Sequence, residues 1–332
     1  MIDQNTDFFA YVDNFAKIDG IESIKVFGNE DSSADYTIAI PTYRRTEYLK
    51  EAIDSALNQD CNFSYNVIVV DNNPERNDDT EKMMASYKNT KNLSYYKNAE
   101  NLGMAGNWNR LFQLAKTKWV VMLHDDDVLY HNYLSTVDGL ILKVKDVGIL
   151  KPKEDRKNTP KTKIQKKVKR LSCLDFYYGN GYGTPSGMFF NKEKVVRLGG
   201  YNQEFYPSLD YCFNVLFSNN FNFYLYDEPL MFYRIGVNES LKVETQKQWL
   251  IIDSYLIRQL LSRYKIPEWI IDSFVSRRTI NSHVGLQNSW NSRFDFNIED
   301  VGLTKASSIK GLFSHLVIRL YKIFESLIIK MH

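Results

Sequence analysis

The sequence lacks several features that would assign it to a well-marked class of protein. Its three cysteines, Cys61, Cys173 and Cys212, are far apart with no CxxC spacing, which argues against a disulfide framework and against a zinc site. Neither GxGxxG nor a GxxxxGKS/T pattern occurs, so a dinucleotide fold or a P-loop is not supported. No uncharged run approaches the length of a bilayer span, and residues 1–7 do not resemble a secretion signal. These absences favour a cytoplasmic protein.

A strong net charge is also missing. The 332 residues carry a formal charge of +2 and are 44% hydrophobic, as expected of a globular protein with a sizeable core. Because so weak a net charge gives no general attraction for polyanions, we expect no nucleic-acid partner. The charge is nevertheless uneven, since residues 151–170 hold ten basic side chains against Glu154 and Asp155. This stretch predicts a solvated, mobile loop, with a lipid phosphate or an anionic membrane surface as the alternative.

The most informative stretch is Trp119–Leu129, where an apolar run ends in Asp125, Asp126 and Asp127. The run is typical of a buried strand in a parallel sheet, and ligands bind outside the carboxyl ends of such strands. Adjacent carboxylates repel one another, and either water or a hard cation such as Mg²⁺ or Mn²⁺ relieves that repulsion. The residues alone therefore leave two alternatives, a binding crevice and a solvated turn.

Three further strands precede this one, each separated from the next by a helical pattern. They are predicted at Tyr36–Ile40, Tyr65–Val70 and Leu93–Lys97. Such an order predicts right-handed βαβ units, and hence an α/β fold with a doubly wound, mostly parallel sheet flanked by helices. Polar residues follow every strand, and we expect them to converge on one crevice: residues 41–44, 71–73, 98–107 and 125–127.

Helical patterns dominate both ends of the chain. Phe8, Val12 and Phe15 predict a short amphipathic helix near the start, and two long helices are predicted over residues 249–265 and 268–286. The last segment, 309–332, predicts a cationic amphipathic helix that lies on a membrane, covers a partner or docks on its own domain. Its apolar face comprises Leu312, Phe313, Leu316, Leu320, Phe324 and Leu327, and its polar face comprises His315, Arg319, Lys322 and Ser326.

Several motifs, in this order, resemble the nucleotide-sugar half of family 2 glycosyltransferases, which have the GT-A fold. The resemblance covers roughly residues 36–135, and an ordered series of motifs is far more specific than any one motif. The motifs are Ile40–Arg45, the helix containing Leu49, Ser55 and Gln59, Val67–Asn72, Asn101–Asn107 and Leu123–Leu129.

The resemblance implies a set of residues that bind the nucleotide sugar. Pro41 and Tyr43 would line the nucleotide pocket, with Arg45 among the donor-binding residues, and Asp71 would accept a hydrogen bond from the base. Further along the chain, Asn101, Gly103 and Asn107 would flank the ribose and diphosphate, Asp125 would contact the ribose or sugar, and Arg234 could face the diphosphate.

The resemblance also implies a metal ion and a general base. Asp126 and Asp127 would hold Mn²⁺ or Mg²⁺. Many relatives have Asp where this chain has His124, which we interpret as a neutral residue packed at the strand end. Asp210 matches the family's general base, although Leu209 replaces a Glu that often precedes it. A carboxylate in a first helical turn is also favoured by the helix dipole alone.

Four regions and a reaction follow from the resemblance. We expect an N-terminal extension (1–35), a nucleotide-sugar half (36–135), an acceptor half (136–243) and a C-terminal helical region (244–332). The expected activity is inverting transfer from a UDP- or dTDP-sugar to a saccharide or lipid-linked saccharide, in bacterial surface-polysaccharide assembly, on or near the inner membrane face. A catalytically degenerate scaffold and a sugar-nucleotide pyrophosphorylase are the rivals.

Overall fold

One mixed sheet runs through the protein. The computed structural model describes residues 2–3, 5–156, 166–235, 242–290 and 294–331. Over these residues the strands lie in the order β1-β4-β3-β2-β5-β9-β7-β10-β6, with β8 paired to β10. The strands are β1 (Ser23–Gly28), β2 (Tyr36–Thr42), β3 (Tyr65–Asp71), β4 (Leu93–Asn98), β5 (Trp119–Met122), β6 (Val128–Leu129), β7 (Val147–Arg156), β8 (Val168–Leu171), β9 (Met188–Asn191) and β10 (Asn222–Tyr233).

The four predicted strands are confirmed and are parallel. β2 pairs in parallel with both β3 and β5, and β3 pairs in parallel with β4. Thr42 aligns with Asp71, which aligns with Lys97 on β4, so the carboxyl ends of these strands lie at one edge. The predicted α/β fold with a doubly wound, mostly parallel sheet is correct, and the polar segments after the strands share that edge.

Helices cover both faces of the sheet because alternate strand side chains enter two cores. On one face Ile38, Val69 and Val121 pack with side chains of α1, α2 and α4. On the other, Ala39, Ile68 and Val120 pack with α3, α5, α6, α7 and α8. The helices are α1 (Leu49–Leu57), α2 (Asp79–Met84), α3 (Gly103–Leu114), α4 (Tyr133–Ile141), α5 (Lys192–Leu198), α6 (Leu209–Asn220), α7 (Val243–Ser262), α8 (Glu268–Trp290) and α9 (Ser308–Met331).

The N-terminal segment differs from its prediction. Where the sequence predicted an amphipathic helix, the structure has turns and a 3-10 helix at Ala16–Ile18. The Asp7 carboxylate accepts from the backbone of Phe9, and that of Asp13 accepts from Phe15 and Ala16. Such local side-chain bonds compete with helical ones, so the segment folds as successive turns. The strand β1, which pairs with β4, was not predicted.

The predicted basic loop is also partly wrong. Residues 151–156 belong to β7 and residues 168–170 to β8, while residues 157–165 lie outside the described part of the chain. Lys151 is buried because its ammonium group bonds Glu154 (2.8 Å) and the carbonyl oxygens of Thr184 and Ser186 (3.1 and 2.5 Å). Lysine side chains are rarely buried, but one whose ammonium group is paired in this way can occupy a core position.

The C-terminal helices predicted from periodicity are confirmed as α7, α8 and α9. Helix α8 contacts both α7 and α9, so the three form a layer beside the sheet. Within the described residues, none of the helices combines the length and the apolar character needed to cross a bilayer.

Candidate functional site

Residues from β2 and from the loop after β5 meet at the carboxyl edge of the sheet. The Thr42 hydroxyl donates to Asp125 at 2.8 Å. Arg45 donates to Asp126 at 2.8 Å and lies 3.6 Å from the Asp125 carboxylate. One guanidinium group therefore balances two adjacent carboxylates, which reduces the repulsion expected from the acidic triplet.

His124, Asp126 and Asp127 form a candidate metal centre. One potential ligand atom from each lies within 4.8 Å of the others. Two of these groups have buried atoms, His124 Nε2 and Asp127 Oδ2, that bond to no other described residue. A buried polar atom without a partner is costly, and a cation held by this cluster is one way to satisfy these two atoms. One imidazole and two carboxylates suit Mn²⁺ and are also compatible with Mg²⁺, so the residues present fit the metal that the sequence implied.

The electrostatics of the centre follow from its burial. Burial lowers the pKa of His124 to about 4, so the ring is neutral at physiological pH, which is the form that binds metals. Burial also raises the pKa of Asp125 to about 6 and that of Asp127 to about 7. Neutral His124 was predicted, but the ring was interpreted as packing only. The structure adds a candidate ligand role to its stacking on Trp108, at 5.5 Å between ring centroids.

Arg234 reaches the same centre from the end of β10. Its backbone N–H donates to Asp127 Oδ1 at 2.9 Å, and its Nε donates to the carbonyl of Asp126 at 3.0 Å. The guanidinium group lies 4.1 Å from the centroid of the Tyr48 ring and pairs with Glu51. Arg234 thus places a positive charge beside the acidic loop, where an anionic ligand would need one.

Asp71 lies below the surface of the crevice. It is fully buried, and it accepts from Tyr95 and Lys97 at 2.8 Å each and from the backbone of Asn73 at 2.9 Å. Burial raises the pKa of Asp71 against the opposing effect of Lys97. Since three donors already occupy this carboxylate, its predicted contact with a base stays a prediction.

An asparagine network joins the ends of β3 and β4 to α3. Asn72 bonds Asn101 at 2.8 Å and the carbonyl of Gly103 at 3.2 Å. Asn98 donates to Asn72 at 3.0 Å and to Asn107 at 2.9 Å. Gly103 has φ of +71°, and a Cβ there would lie 2.8 Å from the Gln203 side chain, so this position favours glycine.

The predicted donor-binding residues therefore differ in accessibility. Tyr43, Arg45 and Asn101 are exposed, and Gly103 and Arg234 are partly exposed, so these five can touch a ligand directly. The rest are buried and support the crevice from below: Pro41, Asp71, Asn107 and Asp125.

Asp210 stands in the first turn of α6. Its Oδ1 accepts from the backbone of Tyr211 at 2.8 Å, and its Oδ2 accepts from Asn180 at 2.9 Å. Burial, aided by the charge of Asp253, raises the pKa of Asp210 to about 7 despite these bonds. A carboxylate that serves only the helix dipole has a lowered pKa, so the local environment is that of a proton acceptor near neutrality.

One loop joins the surroundings of Asp210 to the metal centre. It runs from Asn180, which donates to Asp210, to Ser186, which accepts from the backbone of His124 at 3.1 Å. Asn214 donates to Asn180 at 3.0 Å and thereby fixes its orientation. Asn180 was not predicted from the sequence, because its role depends on the distant α6.

The comparisons with known proteins bear directly on this arrangement. The family model described as Glycosyl transferase family 2 matches residues 37–198. This range contains β2 to β5, the acidic loop and the Asn180 loop. The chain carries a family 2 glycosyltransferase domain. The resemblance deduced from the motifs is thus confirmed, and the chain is an enzyme of the glycosyltransferase class.

Two proteins similar to this glycosyltransferase extend the comparison beyond residue 198. An uncharacterized glycosyltransferase of Methanocaldococcus jannaschii is 25% identical over 221 residues, which are 64% of this chain and 75% of the relative. Crystal structures of S. aureus TarS 1-349 with UDP-GlcNAc and with UDP align with TM-scores of 0.58 and 0.56 at 17% identity, over 79% of this chain and 76% of the TarS 1-349 chain. The structural likeness confirms the GT-A fold.

Proposed function

We propose that this glycosyltransferase moves a sugar from a nucleoside-diphosphate sugar to an acceptor hydroxyl in one inverting displacement. The observation that carries the proposal is the pairing of two sites, joined by one loop. The first is the cluster of His124, Asp126 and Asp127, and the second is Asp210, a partly buried carboxylate with a pKa of about 7. A diphosphate site and a proton acceptor are the two requirements of such a reaction.

In this proposal, His124, Asp126 and Asp127 hold a divalent metal ion. When bound, Mn²⁺ or Mg²⁺ would supply charge stabilisation for the departing diphosphate. Arg234 adds a second positive charge beside the acidic loop, and Arg45 becomes available to the diphosphate if it leaves Asp126. These assignments keep Asp126 and Asp127 as metal ligands and add His124 to them.

Asp210 would accept the proton of the acceptor hydroxyl. The acceptor oxygen then forms a bond to the anomeric carbon as the bond from that carbon to the diphosphate breaks, which inverts the anomeric configuration. Asn180 orients the carboxylate by donating to Oδ2, which leaves the other lone pairs of Asp210 for the hydroxyl. No covalent intermediate with the protein is required.

The donor and acceptor are proposed at the level of chemical class. UDP- and dTDP-sugars are the first donors to test, a choice supported by the UDP-GlcNAc bound in the structure of TarS. A saccharide or lipid-linked saccharide of surface-polysaccharide assembly is the proposed acceptor, with the protein peripheral to the inner membrane face.

The stereochemistry of the product tests the proposed displacement. Once a donor is found, proton NMR of the first product formed should show the anomeric configuration opposite to that of the donor. Retention of configuration would contradict the role of Asp210, since a retaining double displacement needs a nucleophile rather than a base.

A further inference from the structure

Helix α9 docks on the protein through a narrow face of small and polar side chains and one isoleucine. Gly311, Ser314 and Ile318 are buried and recur every three or four residues, so they form one face of the helix. A Cβ on Gly311 would lie 2.7 Å from the Arg277 side chain, which shows how closely this face approaches α8.

Two charged side chains strengthen the same docking face. Lys322 bonds Asp175 at 3.0 Å, and Glu325 accepts from Tyr264 at 2.9 Å. Within the predicted polar face, Lys322 therefore faces inward, whereas Arg319 is exposed. Ile318 is the fully buried apolar side chain of this face, and the larger set of apolar side chains on α9 takes no part in the docking.

The opposite face of α9 is apolar and exposed to solvent. Its side chains extend over about 22 Å of helix, at 1.5 Å per residue. We call this surface the α9 stripe: Ile309 (81% exposed), Leu312 (58%), Phe313 (50%), Leu316 (55%), Leu320 (46%) and Phe324 (67%). The sixth residue of the predicted apolar face, Leu327, lies outside the described side chains, as does Ser326 of the polar face. A contiguous stripe of this size marks an interaction site rather than ordinary surface.

Basic residues flank the α9 stripe on both sides. Helical geometry places Lys310 at one edge and Arg319 at the other, and both are exposed. Within Ser308–Glu325 the single acid, Glu325, is directed inward to Tyr264. From the neighbouring β8, Lys169 bonds Asp175, the residue that also holds Lys322. The stripe thus has a positive border with no exposed carboxylate in the described part of α9.

An indole ring completes the surface. Trp269 of α8 is 52% exposed and stacks on Phe313, with 6.0 Å between ring centroids and an angle of 3° between the rings. Tryptophan is favoured at the boundary between lipid chains and water because its ring is apolar and its N–H is polar.

We propose that the α9 stripe docks on an anionic lipid membrane. Apolar side chains between two basic edges match the acyl region and the phosphate layer of such a surface. A second copy of the chain would bring an equally positive border against this one, which disfavours self-association through the stripe.

The docking surface itself does not depend on the proposed reaction, but one consequence rests on it. His315 of α9 packs on Tyr178, with 5.7 Å between ring centroids, and the Asn180 loop begins just after that residue. Asn180 donates to Asp210. A membrane bound at α9 would thus lie near the acceptor side, where a lipid-linked saccharide could reach the base.

Co-sedimentation with vesicles tests the docking surface. The full chain should sediment with vesicles of phosphatidylcholine containing about 30% phosphatidylglycerol, and added salt should weaken the binding. The variant with Leu316→Ser and Leu320→Ser should bind at least about tenfold more weakly, and so should the variant with Lys310→Gln and Arg319→Gln.

Matched controls lie elsewhere on the surface. Leu142→Ser alters another exposed leucine, 81% exposed at the end of α4, and Lys88→Gln with Lys91→Gln alters two exposed lysines before β4. Both controls should bind vesicles as the unsubstituted protein does. Equal loss in the controls, no binding by the unsubstituted chain, or a dimer that the leucine substitutions dissociate would overturn the proposal.

Donor turnover measured on the same proteins separates this proposal from the proposed reaction. Release of nucleoside diphosphate without lipid should be equal in the stripe variants and the controls. Vesicle binding without turnover of any donor would support membrane docking and count against the proposed reaction. Turnover without vesicle binding would support the reaction and count against membrane docking.

Discussion

At the scale of single residues, the protonation of Asp210 decides between a catalytic and a structural role. Its carboxylate lies in the first turn of α6, where the helix dipole alone would lower its pKa, yet burial and Asp253 raise the pKa to about 7. A raised pKa means that the charged form is disfavoured in the folded protein. A position near neutrality is where a general base works best.

The substitution Asp210→Asn should lower turnover by about two to four powers of ten while donor affinity stays nearly unchanged. The amide keeps the shape of the side chain but cannot accept the proton. In the unsubstituted enzyme, turnover should rise with pH through about 7 as Asp210 loses its proton. Initial rates and calorimetric donor binding measure both effects, and near-normal turnover in the variant would return Asp210 to a structural role.

The direction in which the stability of the same variant changes with pH can also be predicted. Because the folded-state pKa of Asp210 is raised, its contribution to stability is fully present below its ordinary pKa and is lost as pH rises through about 7. The melting temperature of Asp210→Asn, relative to the unsubstituted protein, should therefore increase between pH 5 and pH 8. A relative decrease over that range would indicate a carboxylate stabilised by the helix.

The metal centre gives a further prediction about a single residue. His124→Phe preserves an aromatic ring against Trp108 but removes Nε2, and it should weaken Mn²⁺ binding by about tenfold or more with little change in fold. Binding to the unsubstituted protein should weaken from pH 8 to pH 6, because protons compete for Asp127. Calorimetric titration with Mn²⁺ measures both. If His124→Phe bound Mn²⁺ with unchanged affinity, His124 would not be a ligand and only the carboxylates would hold the metal.

At the scale of secondary structure elements, ionic contacts between elements support the crevice. Lys97 of β4 is buried and bonds Asp71 of β3 at 2.8 Å and Asp78, which caps α2, at 3.0 Å. Three elements therefore depend on one ammonium group. This arrangement explains how Asp71 is tolerated in the core, since a buried charge is stable only when paired.

Replacing Lys97 with Met should lower the free energy of unfolding by about 3–5 kcal/mol, because Asp71 would remain buried without its counter-charge. Lys88→Met, at an exposed position, should change it by less than about 0.5 kcal/mol. Urea unfolding of the two variants makes the comparison. Similar stabilities would show that Asp71 is solvated and accessible, as its predicted contact with a base requires.

The strands and helices that were predicted correctly are those with a local signal. The runs at β2, β3 and β5 are rich in β-branched apolar residues because both of their faces are buried. β4 is also buried, with Leu93, Tyr95 and Tyr96 as its apolar residues. β1 is a partly exposed edge strand without that pattern, and β7 contains Lys151, whose burial depends on Glu154 and on carbonyls 33 and 35 residues away. Long-range pairing of this kind leaves no mark on the local sequence.

The same distinction applies to the candidate site. The acidic triplet follows its strand directly, so its place at the carboxyl edge could be predicted. The partnership of Asp210 with Asn180, and the influence of Asp253 from α7, arise from segments 30 or more residues apart. The amphipathicity of α9 was predicted, but not the fact that the side carrying Lys322 docks inward, because periodicity does not identify which face meets the protein.

At the scale of the whole molecule, the Asn180 loop links the carboxyl edge of the sheet to Asp210, and α9 packs beside that loop. The metal centre lies at the carboxyl edge, Asp210 lies beyond the Asn180 loop, and α9 contacts the start of that loop. The family 2 domain covers residues 37–198, so Asp210, Arg234 and α9 come from the remainder of the chain. The proposed chemistry thus requires both parts.

The most direct test of the central claim is calorimetric binding of UDP-, dTDP- and GDP-sugars with Mn²⁺ and with EDTA, to the unsubstituted protein and to Asp126→Ala. Asp126 is largely buried, but its carboxylate faces the crevice and is balanced there by Arg45, so its loss should leave the fold intact. At least one donor should bind in the presence of Mn²⁺, and its binding should weaken by about tenfold or more with EDTA or with Asp126→Ala. Donor binding that is indifferent to both changes, or no binding of any donor, would contradict the central claim.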